Sequence, residues 1–217
     1  AEEGILELDE PAGPPGSTVR HLLAHASGLP FEPGASLARP GTRRIYSNVA
    51  YDLLGELVAE RSELPFAGYL RAGVLEPVGM ASTELRGSPA ASASGTLADL
   101  LALAQELRAP RIVARETLDE AVSVQFPGLA GVIPGIGRQD PCDWGLGFEV
   151  RGHKSPHWTG ARNSPRTFGH FGGAGTFLWV DPDARVALVV LTDLEFGDWA
   201  LEAWPELSDA VLDALSS

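Results

Sequence analysis

The chain has 217 residues, 44% of them hydrophobic, and a formal net charge of −13. That length can bury a sizeable core as one large domain or a domain plus a subdomain. Lys and Arg are scattered, with Arg43-Arg44 the only basic doublet, which excludes a phosphate-tracking nucleic-acid surface, and no apolar run approaches the ~20 residues of a membrane span.

Ala1-Glu2-Glu3-Gly4 has no initiator methionine, basic n-region or apolar h-region. It reads as the tail of a helix capped by Gly4, so residues are expected to precede it. The compartment is left open, leaning cytoplasmic. Ile5 to Asp9 alternates apolar and acidic residues, and Pro11 to Gly16 is a turn. Ser17 is the expected N-cap of a helix over Thr18 to His25, which Gly28 stops.

Residues 30 to 45, rich in Pro and Gly, form an irregular loop leading to Tyr46. From Asn48, Val49, Leu53, Leu54, Leu57 and Val58 recur at helical spacing, predicting a helix to about Arg61. A short helix is predicted from Pro65 to Ala72, and a loop over Gly87 to Ser94. Thr96 to Leu107 is predicted helical, with Leu97, Leu100, Leu101, Ala104 and Leu107 on one face. A further helix is placed at Ala114 to Val122.

After Phe126 the pattern changes to strand and turn. Gly128 to Asp143 reads as a long Gly/Pro-rich excursion and Trp144 to Val150 as a strand. Thr167 to Phe171, Thr176 to Val180 and Arg185 to Thr192 are predicted strands, the last two joined by the turn Asp181-Pro182-Asp183-Ala184. Asp198 to Leu215 is helical, with Pro205 a break. Helices first, an antiparallel sheet second and a covering helix last is an α+β arrangement.

Few residue patterns carry chemistry. Cys142 is the one cysteine, so there is no internal disulfide and no multi-cysteine metal site. His21 and His25 are spaced i, i+4 but lack the glutamate of H-E-x-x-H, and His153 and His157 flank a loop, so neither a metal nor a cofactor is expected. No phosphate loop or G-x-G-x-x-G is present.

Tyr46-Ser47-Asn48 stands at a helix start, where a phenol can sit at the mouth of a cleft. A phenol titrates near ~10 unless a cation favours the phenolate, and the Asn48 amide can hold a substrate amide. A packing tyrosine followed by a helix cap remains the alternative. Phe168-Gly169-His170-Phe171-Gly172-Gly173 lies between two strands, where small residues let a ligand approach the backbone. An edge strand there could bind substrate by main-chain hydrogen bonds, the N–H of Gly173 could be an oxyanion-hole donor, and His170 adds a donor to the wall. A glycine-rich turn with a surface histidine is the competing reading.

Thr18 to Leu29 (TVRHLLAHASGL), Pro40-Gly41-Thr42 leading to Tyr46-Ser47-Asn48, and Gly169-His170-Phe171-Gly172-Gly173 together resemble the class C β-lactamase-related serine hydrolases, a group that includes D-alanyl-D-alanine carboxypeptidases and serine esterases. The resemblance implies a β-lactamase/transpeptidase-like fold and acyl-enzyme chemistry on an ester, amide or lactam. It assigns Tyr46 as general base and proton shuttle, Asn48 as the substrate-positioning amide, and His170 and Gly172 to the first and third positions of a K-T-G-like motif. Phe171 replaces the usual Thr or Ser of that motif. Loss of a hydroxyl that could bind a substrate carboxylate points to an esterase-like rather than an efficient β-lactamase activity.

The family's nucleophile motif, S-x-x-K, is not in this sequence: the one lysine, Lys154, is preceded at that spacing by Arg151. Ser27 and Ser94 read as loop or cap residues. In the family that motif opens a helix just upstream of the segment matching Gly4 to Asp9. The expectation is therefore a partial β-lactamase-like domain over 1–217, with a mainly helical part at about 18–125 and strands plus the final helix at about 144–217. The S-x-x-K helix and first strands would be supplied from elsewhere in the same or a companion chain. The alternative is a catalytically inactive domain of this fold that binds a peptide or small acyl ligand.

Overall fold

A computed structural model describes residues 1–216. Thr18, not Ser17, caps the first helix, α1 (Val19–Leu23), because its side chain accepts the His21 N–H. The chain runs on through β1 (Arg44–Ile45) into α2 (Asn48–Ser62), where the Ser47 hydroxyl accepts the Ala50 N–H. The predicted helix after Pro65 is longer than expected. It is built as α3 (Phe66–Leu70), a π-turn over Arg71–Leu75, and α4 (Glu76–Val78).

Residues 87–94, predicted as loop, contribute β3 (Ala93–Ser94), which pairs with β2 (Glu84–Leu85). Next come α5 (Leu97–Arg108) and α6 (Arg115–Ala121). The apolar face of α5 is not wholly covered, since Leu97 and Leu101 are exposed, whereas Asp99 and Glu106 are buried. These two carboxylates cap neighbouring backbone, Asp99 accepting the Ser82 N–H and the Thr83 hydroxyl and Glu106 accepting the Arg111 and Ile112 N–H groups. A buried carboxylate with such donors is tolerated where an unpaired one is not.

The excursion expected at 128–143 is instead a hairpin of β4 (Gly131–Ile133) and β5 (Gly137–Gln139). β4 pairs parallel with β1, Arg44 facing Gly131, so this sheet is not purely antiparallel. The predicted strand at 144–150 shrinks to β6 (Glu149–Val150), because Gly145 to Phe148 form a turn closed by the Gly145 N–H on the Phe148 carbonyl. β7 (Phe168–Gly172), β8 (Thr176–Asp181) and β9 (Val186–Val190) complete an antiparallel sheet of order β6-β7-β8-β9.

The last helix, α7 (Asp198–Leu215), continues through Pro205, where a break was expected. Its face carrying Ala200, Trp204 and Leu212 packs on Trp158, Phe177 and Trp179, which burial holds in line despite the missing proline N–H. By the strand period of two, Ala187 and Val189 face the other side of the sheet from Val186, Leu188 and Val190. A second core joins α1 to α2 through Val19, Leu22, Ala50 and Leu54. Tyr46, between β1 and α2, meets His170 in the middle of β7. No helix among the described residues is long and apolar enough to cross a membrane.

Candidate active site

Tyr46 follows β1 directly and precedes the helix cap Ser47, so both sides of it are held by backbone geometry. The Ser47 hydroxyl, fully buried, also donates to the Pro30 carbonyl at 2.7 Å. Both bonds of the Ser47 hydroxyl are to backbone, so its role is structural. The Tyr46 ring is half-buried in an aromatic box: His25 at 4.4 Å, His170 at 5.6 Å, and Trp144 and Phe31 at 5.9 Å between centroids.

The Tyr46 hydroxyl lies 3.2 Å from His170 Nε2, across 124 residues of sequence. His170 Nδ1 is 2.5 Å from the Phe171 carbonyl, which can only accept. The proton therefore sits on Nδ1, Nε2 offers its lone pair, and the phenol donates to it. Burial lowers the His170 pKa, partly opposed by Glu149 and by the Phe171 bond, so the imidazole is neutral near pH 7. Burial, with Glu149 adding to it, pushes the Tyr46 phenol up from its ordinary value. Both groups are thus neutral and share one proton along one hydrogen bond.

The other residues singled out in the sequence are placed as follows. Asn48 is the first residue of α2 and half-buried, and among the described residues its side-chain amide has no hydrogen-bond partner. Gly172 is the last residue of β7, paired with Thr176, and Gly173 is exposed beyond it. A Cβ on Gly173 would meet nothing within 4 Å, so the space beside this backbone is open. The Gly173 carbonyl is taken by the Phe196 N–H at 2.9 Å. Phe171 points to the opposite face of β7 from His170, with its ring 4.7 Å from Phe196 and 5.7 Å from Trp158. It fills the core under α7 and does not line the Tyr46 side.

Three further features escaped the sequence reading. Arg44, half of the basic doublet, is 3% exposed and gives its guanidinium to the carbonyls of Cys142, Ala24 and Gln125. Burial lowers its pKa to about 10. Lys154 is buried with Glu149 at 3.0 Å and also donates to the carbonyls of Asp143 and Val150. Glu149 in turn accepts from His157 Nε2 at 3.0 Å and Trp158 Nε1 at 2.7 Å. Burial pushes the Glu149 carboxyl up, but Lys154 and the bonds from His157 and Trp158 outweigh this and hold it at about 2. The third feature is His25, buried against Tyr46. Arg44 had a sequence signal in the doublet and His25 in the run Thr18 to Leu29, but neither signal revealed the buried role, and Glu149 had none. No group of three or more His, Cys, Asp or Glu that could hold a metal occurs among the described residues.

A family model described as Beta-lactamase matches residues 1–211. A crystal structure of a β-lactamase from Mycobacterium bovis is 57% identical, with a TM-score of 0.97, over 100% of this chain and 80% of that one. A Salmonella schwarzengrund protein provisionally named D-alanyl-D-alanine carboxypeptidase is 26% identical over 70% of this chain and 46% of its own length. The chain thus spans about half the length of the curated relatives it matches. EstCE1, described as a hydrolase with promiscuous acyltransferase activity, shares the fold at a TM-score of 0.77 and 19% identity, over 97% of this chain and 79% of that one.

Proposed function

This chain belongs to the β-lactamase family, and on that premise we propose that it carries the proton-transfer and substrate-binding half of a serine acyl-transfer site. The observation that carries the reading is the 3.2 Å contact between Tyr46 and His170, which joins two motifs 124 residues apart. Tyr46 acts as general base and proton shuttle. Asn48, His170, Gly172 and Gly173 bind the substrate, the open backbone at Gly173 admitting an acyl group. Residues 1–217 act as one partial domain.

The serine and its lysine come from an S-x-x-K segment outside residues 1–217, in the same or a companion chain. A neutral phenol is a poor base. An ammonium within ~4–6 Å would favour the phenolate, and the chain's own lysine is held by Glu149. Surface for such a segment exists. Leu97 and Leu101 of α5 are exposed, β9 has a strand partner on one side only among the described residues, and a cavity of about 880 Å³ opens between α5, α6 and the sheet.

The substrate is an ester, amide or lactam, with an ester favoured. A neutral imidazole at position 170 supplies no fixed positive charge for a substrate carboxylate, unlike the lysine of K-T-G. Hydrolysis of a p-nitrophenyl ester and of a chromogenic cephalosporin by the full-length protein, side by side, tests this. Faster ester turnover is expected, and turnover of the cephalosporin alone would reverse the assignment. One observation favours the second reading, an inactive ligand-binding domain: both Tyr46 and His170 are neutral and already satisfied by each other. Binding without turnover by the full-length protein would select it.

A further inference from the structure

His25 lies in the run Thr18 to Leu29 that carries part of the family resemblance, yet the chemistry above makes no use of it. It is 2% exposed, and its backbone φ of +54° is left-handed, a conformation that a non-glycine residue adopts at a cost. The strained residue holds the polypeptide on both sides of Tyr46. Its carbonyl accepts the Ile45 N–H at 2.8 Å, and its ring Nδ1 accepts the Ser47 N–H at 3.1 Å. Between these two bonds, the imidazole lies 4.4 Å from the phenol ring.

We propose that His25 is the positioning residue for Tyr46, fixing the phenol toward His170 by binding the N–H groups of the residues before and after it. The proposal rests on the reading of Tyr46 as the proton-transfer group. Because Nδ1 accepts, the ring proton is on Nε2 and the imidazole must be neutral. A protonated ring would set an N–H against the Ser47 N–H. Burial keeps the pKa of His25 well below the ordinary histidine value, His170 and Arg44 add to this, and Glu149 opposes it. The ring itself is fixed by Tyr51 at 5.0 Å and the edge of Trp144 at 4.9 Å, and Tyr51 is tied to the Leu23 carbonyl at 2.8 Å. Arg44 anchors the preceding peptide through the Ala24 carbonyl. An aliphatic or purely aromatic side chain could fill this space but could not accept from Ser47.

The test uses two substitutions in the full-length protein. His25→Phe keeps a ring and removes the acceptor. His25→Asn restores an acceptor oxygen in the place of Nδ1, and asparagine tolerates left-handed backbone. The expected result for His25→Phe is a fall of about 100-fold in kcat for p-nitrophenyl ester hydrolysis with KM changed by less than about threefold, the penalty for a misplaced catalytic group. His25→Asn is expected to recover kcat to within about tenfold of the unsubstituted protein. Equal activity of both variants and the parent, or His25→Asn no better than His25→Phe, would overturn the proposal.

Should His25→Phe fail to fold, nitrogen NMR of the unsubstituted protein decides. A scalar coupling between the Ser47 amide and His25 Nδ1, with slow exchange of that amide, is expected, and its absence overturns the positioning role. Tyr46→Phe run in parallel separates the two readings. Undiminished turnover there removes the proton-transfer role of Tyr46, while the Ser47–His25 coupling still reports whether His25 holds the segment.

Discussion

At the scale of single residues, the site is a balance of buried charges and neutral acids. Tyr46 and His170 are neutral, and a fixed ion pair nearby, Glu149 with Lys154, is 1% exposed on both sides. Removing one member of such a pair leaves the other charge uncompensated. Lys154→Met should therefore cost about 3–5 kcal/mol in urea unfolding. The double substitution Glu149→Gln with Lys154→Met should recover most of that loss, and a neutral single variant would show that the pair is dispensable. Tyr46→Phe removes one hydrogen bond of about 1 kcal/mol but the whole of the proton transfer. Ester turnover is expected to fall by about 10²–10⁴-fold with little change in melting temperature, and undiminished turnover would reject Tyr46 as the base.

At the scale of elements, glycine has different work to do along one strand. Gly169 is required by packing: a Cβ there would stand 2.1 Å from the Leu178 carbonyl oxygen of β8. Gly169→Ala should destabilise by more than about 2 kcal/mol by thermal unfolding. Gly173→Ala, with open space around it, should change stability by less than about 0.5 kcal/mol and act on substrate binding alone, read as a change in KM. Much of this arrangement was legible. α2, α6, β7, β8 and β9 lie close to where the sequence placed them, and Tyr46 and His170 stood out because each occupies a recognisable motif beside a helix or strand end. What was illegible depends on tertiary partners. Gly145 to Phe148 falls within a predicted strand, but a Cβ on Gly145 would lie 2.1 Å from the Ala121 carbonyl, and Gly147 is left-handed at φ +91°. The inward carboxylates of α5 were masked in the same way, since only the fold reveals the N–H groups they cap. His25 and Glu149 were missed for that reason too: a buried polar residue is explained by what it binds, and its partner lies elsewhere in the chain.

At the scale of the molecule, burial depresses four histidines, His21, His25, His157 and His170, below the ordinary value of 6.5. In each case the unfolded chain binds a proton that the folded chain refuses. Their contribution to stability is complete above pH 6.5 and is lost as pH falls through the folded values. Glu149 has the same sign at lower pH, since its folded value of about 2 lies below the 4.5 of the unfolded state. Melting temperature is therefore expected to decline from about pH 6.5 downward. A plateau maintained to about pH 4.5 would show that the histidines titrate freely. The central claim, that this chain contributes the Tyr46–His170 half of an acyl-transfer site whose serine lies outside it, has a more direct test. Full-length protein treated with a fluorophosphonate and mapped by peptide mass spectrometry should carry a single adduct on a serine outside residues 1–217, formed far more slowly in Tyr46→Phe. An adduct on a serine within residues 1–217, or none at all, would contradict it.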